Sequence, residues 1–184
     1  MFSTDEKKIM KKLLGLAKKQ KGLTGANPLT AAAVVKNNSI IAIGVHKGVG
    51  KEHAEVLALK KAGALAKGAK LLVNLEPCTH WGHNPPCTDF IIKCGISEVI
   101  YSTKDPNPKV RKNSAKIVLS KANISVREGL LRDDAIKLNE VFFKNKIKSQ
   151  PFITAKIGMS LDGKIALENG KSKYITSESS RLFA

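Results

Sequence analysis

Two apolar runs, Ala31 to Val35 and Ile40 to Val45, are separated only by Lys36-Asn37-Asn38-Ser39. Turn-prone asparagines between such runs close a hairpin, so the two are expected to pair as antiparallel strands. The pattern then alternates. A helical stretch runs from His53 to about Ala66 and closes near Gly68, and Leu71 to Leu75 reads as a buried strand. Pro85-Pro86 opens a helix through Ile91 and Ile92 to Gly95, after which Val99-Ile100-Tyr101 is a further strand. Helical stretches near Ser114 to Ala122 and Leu131 to Lys146 flank a short strand at Ile124 to Val126. Ahead of the hairpin, Ser3-Thr4-Asp5-Glu6 has the form of a capping box. Ile9, Leu13, Leu16 and Ala17 then recur at helical spacing to about Lys19, and Gly22 and Gly25 end that helix. This order implies an α/β fold in three layers, a mixed five-stranded sheet with helices on both faces.

The character changes at Lys144-Asn145-Lys146-Ile147-Lys148-Ser149-Gln150-Pro151. This polar linker divides residues 1–147 from 148–184, and Phe152 to Ile157 reads as a strand opening a second α/β domain. Ser177 to Phe183 has the look of the first turns of a helix, so the chain is expected to end inside an unfinished element.

The formal net charge of +17 raises the question of nucleic acid, because clustered cations release counterions from phosphates. Only four of the 32 basic residues are arginine, and the lysines are spread along every segment, so a solvated basic surface is expected and no nucleic-acid site. The first six residues include Asp5 and Glu6 where a signal peptide would be basic, and no apolar run approaches the roughly eighteen residues of a membrane span. Three cysteines, an odd number, do not make a disulfide framework. A cytoplasmic protein without membrane contact is expected, and its cysteine chemistry is to be sought in metal binding.

His53-Ala54-Glu55 falls at the start of one helix, Pro77-Cys78 follows the next strand, and Cys87 opens the next helix. One imidazole and two thiolates give the three protein ligands of a hydrolytic zinc site, which leaves a fourth position for water. Glu55, two residues after His53, is placed to move protons beside the metal without binding it. The set matches the H-x-E and P-C elements of zinc deaminases, but eight residues stand between Cys78 and Cys87 where the simple signature has two. A thiolate at Cys87 is expected to be favoured by the helix N-terminus. Cys94, amid Ile91, Ile92 and Ile96, reads as core.

His53-Ala54-Glu55-Val56, Leu75-Glu76-Pro77-Cys78-Thr79-His80 with Gly82, Pro85-Pro86-Cys87-Thr88 and Asp105-Pro106-Asn107-Pro108 together resemble the bifunctional riboflavin-biosynthesis deaminase/reductase family, of which the long cysteine spacer is a mark. Lys156 to Lys164 and Ser172 to Ser177 look like the opening of its reductase domain. The resemblance implies a cytidine-deaminase-like fold, one Zn²⁺ per chain, self-association, and hydrolytic removal of an amino group from a diamino-pyrimidinone carrying a phosphoribosylamino arm. It further implies Asn27, His46, His80 and the position of His83 as substrate residues, with Trp81 stacking on or capping the pocket. Lys156, Gly158, Ser172 and Tyr174 correspond to early reductase residues, where the NADPH site is incomplete, so the chain is expected to be a fragment or a truncated gene product without reductase activity.

Three positions depart from the family pattern: His83 replaces a Lys or Arg, Leu29-Thr30-Ala31 replaces Val-Gly, and Arg111-Lys112-Asn113-Ser114 replaces glycines. They leave the metal chemistry intact and bear on the phosphoribosyl end. Two readings stand beside the first: another zinc nucleobase deaminase, acting on cytidine or tRNA adenosine, and an inactive deaminase-like domain kept for binding.

Overall fold

The structure is a computed structural model and describes residues 1–82, 84–107 and 114–182. The chain divides into two compact units, Met1–Gln150 and Pro151–Ala184. In the first, helix α1 (Thr4–Lys18) precedes strands β1 (Ala31–Lys36) and β2 (Ser39–Val45). Helix α2 (Ala54–Ala62) continues as a 3₁₀ turn (Gly63–Ala66) into β3 (Lys70–Val73). Then come α3 (Cys87–Lys93), β4 (Glu98–Tyr101), α4 (Ala115–Lys121), β5 (Ser125–Glu128), α5 (Arg132–Leu138) and α6 (Glu140–Lys148). The sheet order is β2-β1-β3-β4-β5, with β1 antiparallel to β2 and β3, and β3, β4 and β5 parallel.

The hairpin closes through Asn37 and Asn38 at φ 51° and 60°, left-handed values that asparagine tolerates better than most residues. β1 is buried on both faces, and its alternate residues serve two cores. Ala32 and Val34, with Leu71, Val73, Val99 and Tyr101, pack under Ala58 and Leu59 of α2, Ile91 of α3 and Leu119 of α4. Ala31, Ala33 and Val35, with Leu72 and Ile100, pack under Met10, Leu13 and Ala17 of α1. This period-two division is the physical content of the three layers.

α1 begins with the expected capping box: Glu6 N–H donates to Ser3 Oγ at 3.1 Å, and Ser3 N–H donates to the Glu6 carboxylate at 2.9 Å. The same carboxylate pairs with Arg127, which also donates to Glu98 at 2.5 Å, so the start of α1 is tied to β4 and β5. Three expectations are corrected. The stretch Leu131 to Lys146 is two helices, broken at Asn139, because that residue's side chain turns to bond the main chain of Leu29. Residues 152–157 form no strand: within 151–182 the backbone bonds are local turns, and no neighbouring strand takes up their N–H and C=O groups. The first unit extends past residue 147 to Gln150 because α6 continues through Lys148. In the second unit the short helix Glu178–Leu182, α7, occupies the place expected of one. Among the described residues no helix is long and apolar enough to cross a membrane.

α2 lies directly on β2. A Cβ at Gly44 would fall 2.1 Å from the Ala54 carbonyl oxygen and 2.5 Å from the Ala58 nitrogen, so only glycine permits this approach. Gly44→Ala is therefore expected to lower the melting temperature by about 3–10 °C, the effect of forcing backbone apart in a packed core. It should also reduce metal retention, since α2 starts at His53. Scanning calorimetry with metal analysis checks both, and an unchanged melting temperature would show that the helix does not depend on this contact.

Candidate metal centre

Three segments converge at the end of the sheet where β2, β3 and β4 finish. His53 is the N-cap of α2, with φ −70° and ψ 157°, and Glu55 lies in that helix's first turn. Cys78 follows β3 through the buried run Asn74 to Pro77, and Cys87 is the first residue of α3. One ligand atom from each of His53, Cys78 and Cys87 lies within 4.8 Å of the others. His53 Nδ1 stands 3.1 Å from Cys87 Sγ and 3.5 Å from Cys78 Sγ. Two soft sulfurs and an imidazole nitrogen at this spacing fit a tetrahedral zinc ion with one open position, and all three cysteines of the chain are free.

With protons as the only cations, the cluster divides them unevenly. The Cys78 thiol is pulled down to about 4 by its hydrogen bonds, first with Cys87 and then with His53, and the Cys87 N–H also donates to its sulfur at 3.3 Å. Cys87 is pushed up, first by its bond with Cys78 and then by burial and the charge of Glu55. The first N–H of α3 is directed at the Cys78 sulfur, so the start of that helix bears on both thiols of a tightly coupled pair. His53 rises to about 9 through its bond with the Cys78 thiolate. Glu55 rises to about 7, chiefly by burial, at 5% exposure.

A cavity of about 260 Å³ opens over this cluster, with Asn27, His46, His53, Glu55, Cys78 and His80 on its walls. His46 Nδ1 donates to the Glu52 carbonyl at 3.0 Å, and its Nε2 accepts from Asn27 Nδ2 at 3.0 Å. That pairing requires the neutral imidazole, and burial lowers the His46 pKa to the same effect. The His46 and His53 rings meet edge to face, 5.6 Å between centroids. His80 Nδ1 is buried in the wall without a hydrogen-bond partner among the described residues. Trp81 is 73% exposed and lies outside the residues lining the cavity. His83 and residues 111–113 lie outside the described residues. In the second unit, Lys156, Ser172 and Tyr174 are exposed, Tyr174 stacking under the Arg181 guanidinium at 4.0 Å, and Gly158 sits against Thr176.

Two acids on the cavity wall have no role in the sequence reading. Buried Glu76 accepts from the N–H of Asp105 at 3.2 Å and of Ala115 at 2.8 Å, which fastens the loop after β4 to the start of α4. Asp105 accepts from Asn107 N–H at 2.8 Å, and burial raises it to about 6. The available signal was an acid next to proline shortly after an apolar run, in Leu75-Glu76-Pro77 and in Asp105-Pro106, which follows Val99-Ile100-Tyr101 by three polar residues.

The profile of the family described as the cytidine and deoxycytidylate deaminase zinc-binding region matches residues 3–103. Among curated proteins, the riboflavin biosynthesis protein RibD of Aquifex aeolicus is 49% identical over all of this chain and 51% of its own length. That of Escherichia coli is 41% identical over 94% of the chain and 47% of its own length. Among solved structures, Acinetobacter baumannii RibD superposes with TM-score 0.89 at 36% identity, covering 96% of this chain and 49% of that one. A diaminohydroxyphosphoribosylaminopyrimidine deaminase/5-amino-6-(5-phosphoribosylamino)uracil reductase from Thermotoga maritima gives 0.88 at 40% identity, covering 97% and 52%. The chain spans about half the length of these relatives.

Zinc must displace the protons held on His53 and Cys87, so its uptake is expected to release protons and to tighten as pH rises toward about 9, where His53 gives up its own. Calorimetric titration in two buffers of different ionisation enthalpy measures this release; a buffer-independent heat would contradict the assignment. Cys87→Ala, which leaves two ligands, is expected to lose most bound zinc in dialysis, as read by atomic absorption.

Proposed function

We infer the reaction from the premise that this chain belongs to the cytidine and deoxycytidylate deaminase family, whose zinc-binding region matches more than half of it. We propose that it removes an amino group hydrolytically from a diamino-pyrimidinone carrying a phosphoribosylamino arm, a step of riboflavin biosynthesis. The observation that carries the reading is Glu55, a buried carboxyl poised near neutrality beside a His/Cys/Cys donor set. The riboflavin-biosynthesis relatives, aligned over the whole chain, support the choice of substrate.

His53, Cys78 and Cys87 would hold one zinc ion per chain. When bound, the ion supplies Lewis acidity, which brings an attacking water's pKa toward about 7. Glu55 takes the proton of that water as its oxygen bonds to the ring carbon bearing the amine. The same carboxyl passes that proton to the ring nitrogen and then carries the proton of the new hydroxyl to the amine; the carbon–nitrogen bond breaks, and ammonia leaves as a ring carbonyl forms. A group near neutrality can both accept and donate at working pH, which the raised Glu55 pKa provides. Asn27 spends its Nδ2 on His46 and keeps Oδ1 as an acceptor for the pyrimidine's amino or ring N–H. His80, with a nitrogen in the cavity wall that has no hydrogen-bond partner among the described residues, is a second substrate contact. A cytoplasmic setting suits the three thiols.

Ammonia release from the diamino-pyrimidinone phosphate, measured by a coupled assay on zinc-loaded protein, is expected to exceed that from cytidine by several orders of magnitude. Turnover of cytidine alone would move the substrate to another nucleobase. Glu55→Gln should keep zinc and lose about 10²–10⁴-fold in kcat; full activity in that variant would remove Glu55 from the proton path.

A further inference from the structure

The segment that carries Asn27 reaches β1 without a strand partner for its first residues, so the main-chain groups of Leu29 need other partners. Two buried carboxamides, remote from it in sequence, supply them. Asn139, at the break between α5 and α6 and 3% exposed, accepts from Leu29 N–H at 2.7 Å and donates to Leu29 C=O at 3.1 Å. Asn74, at the end of β3 and fully buried, donates to the same carbonyl at 2.9 Å and accepts from Ala31 N–H at 2.8 Å. Leu29 is thereby held from both sides, two residues from Asn27.

Other contacts hold the loop as well: His46 N–H donates to Thr30 C=O at 3.0 Å, and Leu29 is buried against the core under α1. Within it, Asn27 N–H bonds Thr24 C=O at 3.2 Å, and Thr24 Oγ1 donates to Asn27 C=O at 3.0 Å. Gly22 and Gly25 take φ of 84° and 60°. The metal-side cavity lies along one side of it, and a second cavity of about 640 Å³, lined by Leu14, Gly22, Gly25, Leu29 and Asn139, lies along another. With open space on two sides of the loop, its polar anchors act beside the packing of Leu29 to set its position.

We propose that Asn139 is a positioning residue for substrate binding: by gripping both main-chain groups of Leu29 it sets the Asn27 carboxamide against His46, and so fixes the orientation in which the pyrimidine is received. The assignment rests on the substrate role given to Asn27 above. It accounts for the interruption of a helix that the apolar pattern of residues 131–146 would otherwise continue, since an uninterrupted helix would not leave Asn139 at a turn with φ −105° and ψ 24°. Asn74 acts on the same carbonyl, but lies only four residues before Cys78, so Asn139 separates positioning from metal binding more cleanly.

Asn139→Ala, in zinc-loaded protein of native metal content, is expected to raise KM for the diamino-pyrimidinone phosphate about tenfold, the effect of one lost buried hydrogen-bonding group, with kcat changed less than about threefold. In an Asn27→Ala background the same change should alter KM less than about twofold, because its effect passes through Asn27. A tenfold rise in both backgrounds, or a fall in kcat with KM unmoved, would overturn the proposal. If Asn139→Ala does not accumulate as folded protein, the isosteric Asn139→Asp, which replaces the donor facing Leu29 C=O with an acceptor, carries the same cycle. The ¹⁵N resonances of His46 give a reading without substrate: loss of the hydrogen-bond shift at Nε2 in the Asn139 variant is expected, and an unchanged spectrum counts against it. Native protein inactive on the pyrimidine, with the His46 shift still lost in the variant, would retire the substrate and leave the positioning contact standing.

Discussion

The contact between α2 and β2 at Gly44 governs the geometry of the whole centre. Every helix in a three-layer α/β fold packs on the sheet at about side-chain distance, yet here a carbonyl of the first helical turn falls where a methyl group would stand. That approach lowers His53 and Glu55 onto the end of the sheet, within reach of sulfurs delivered by the loop after β3 and by the start of α3. A larger separation would leave the two cysteines without their nitrogen partner, since an imidazole has no length to spare.

Charge within the cluster follows from that crowding. Four ionisable groups share a small buried volume, and burial works against the charged form of each, the anions of Glu55, Cys78 and Cys87 and the cation of His53. Hydrogen bonding among the two thiols and His53 offsets that cost: it lowers the Cys78 thiol and raises His53, while burial raises Glu55. A divalent cation offers a better resolution, because it neutralises both sulfurs at once and releases the imidazole to its neutral form. The same desolvation that penalises the Glu55 carboxylate is what suits it to carrying protons.

Much of this was legible in the residues themselves. The Asn37-Asn38 hairpin, the alternation of apolar runs and the capping box at Ser3 gave the three layers, because each is a local signal with one structural solution. His53, Glu55, Cys78 and Cys87 stood out because they fall where helices start and strands end. What escaped was set by contacts between distant segments. The break at Asn139 serves Leu29, 110 residues away, and nothing in the periodicity of residues 131–146 announces it. The direction of the first N–H of α3, toward the Cys78 sulfur, is likewise tertiary. Residues 152–157 carry strand-forming side chains but no neighbouring strand within their unit, and propensity alone does not bond a backbone.

The donors of the cluster are separated by 25 and then 9 positions along the chain, so any ion they hold closes two loops at once. In the unfolded chain the entropy of closing those loops opposes such a tie, whereas the native sheet has already met that cost. Affinity for the ion and resistance to unfolding are then one quantity seen from two sides. A chelator would withdraw the share of stability that the ion adds and leave what the two cores supply.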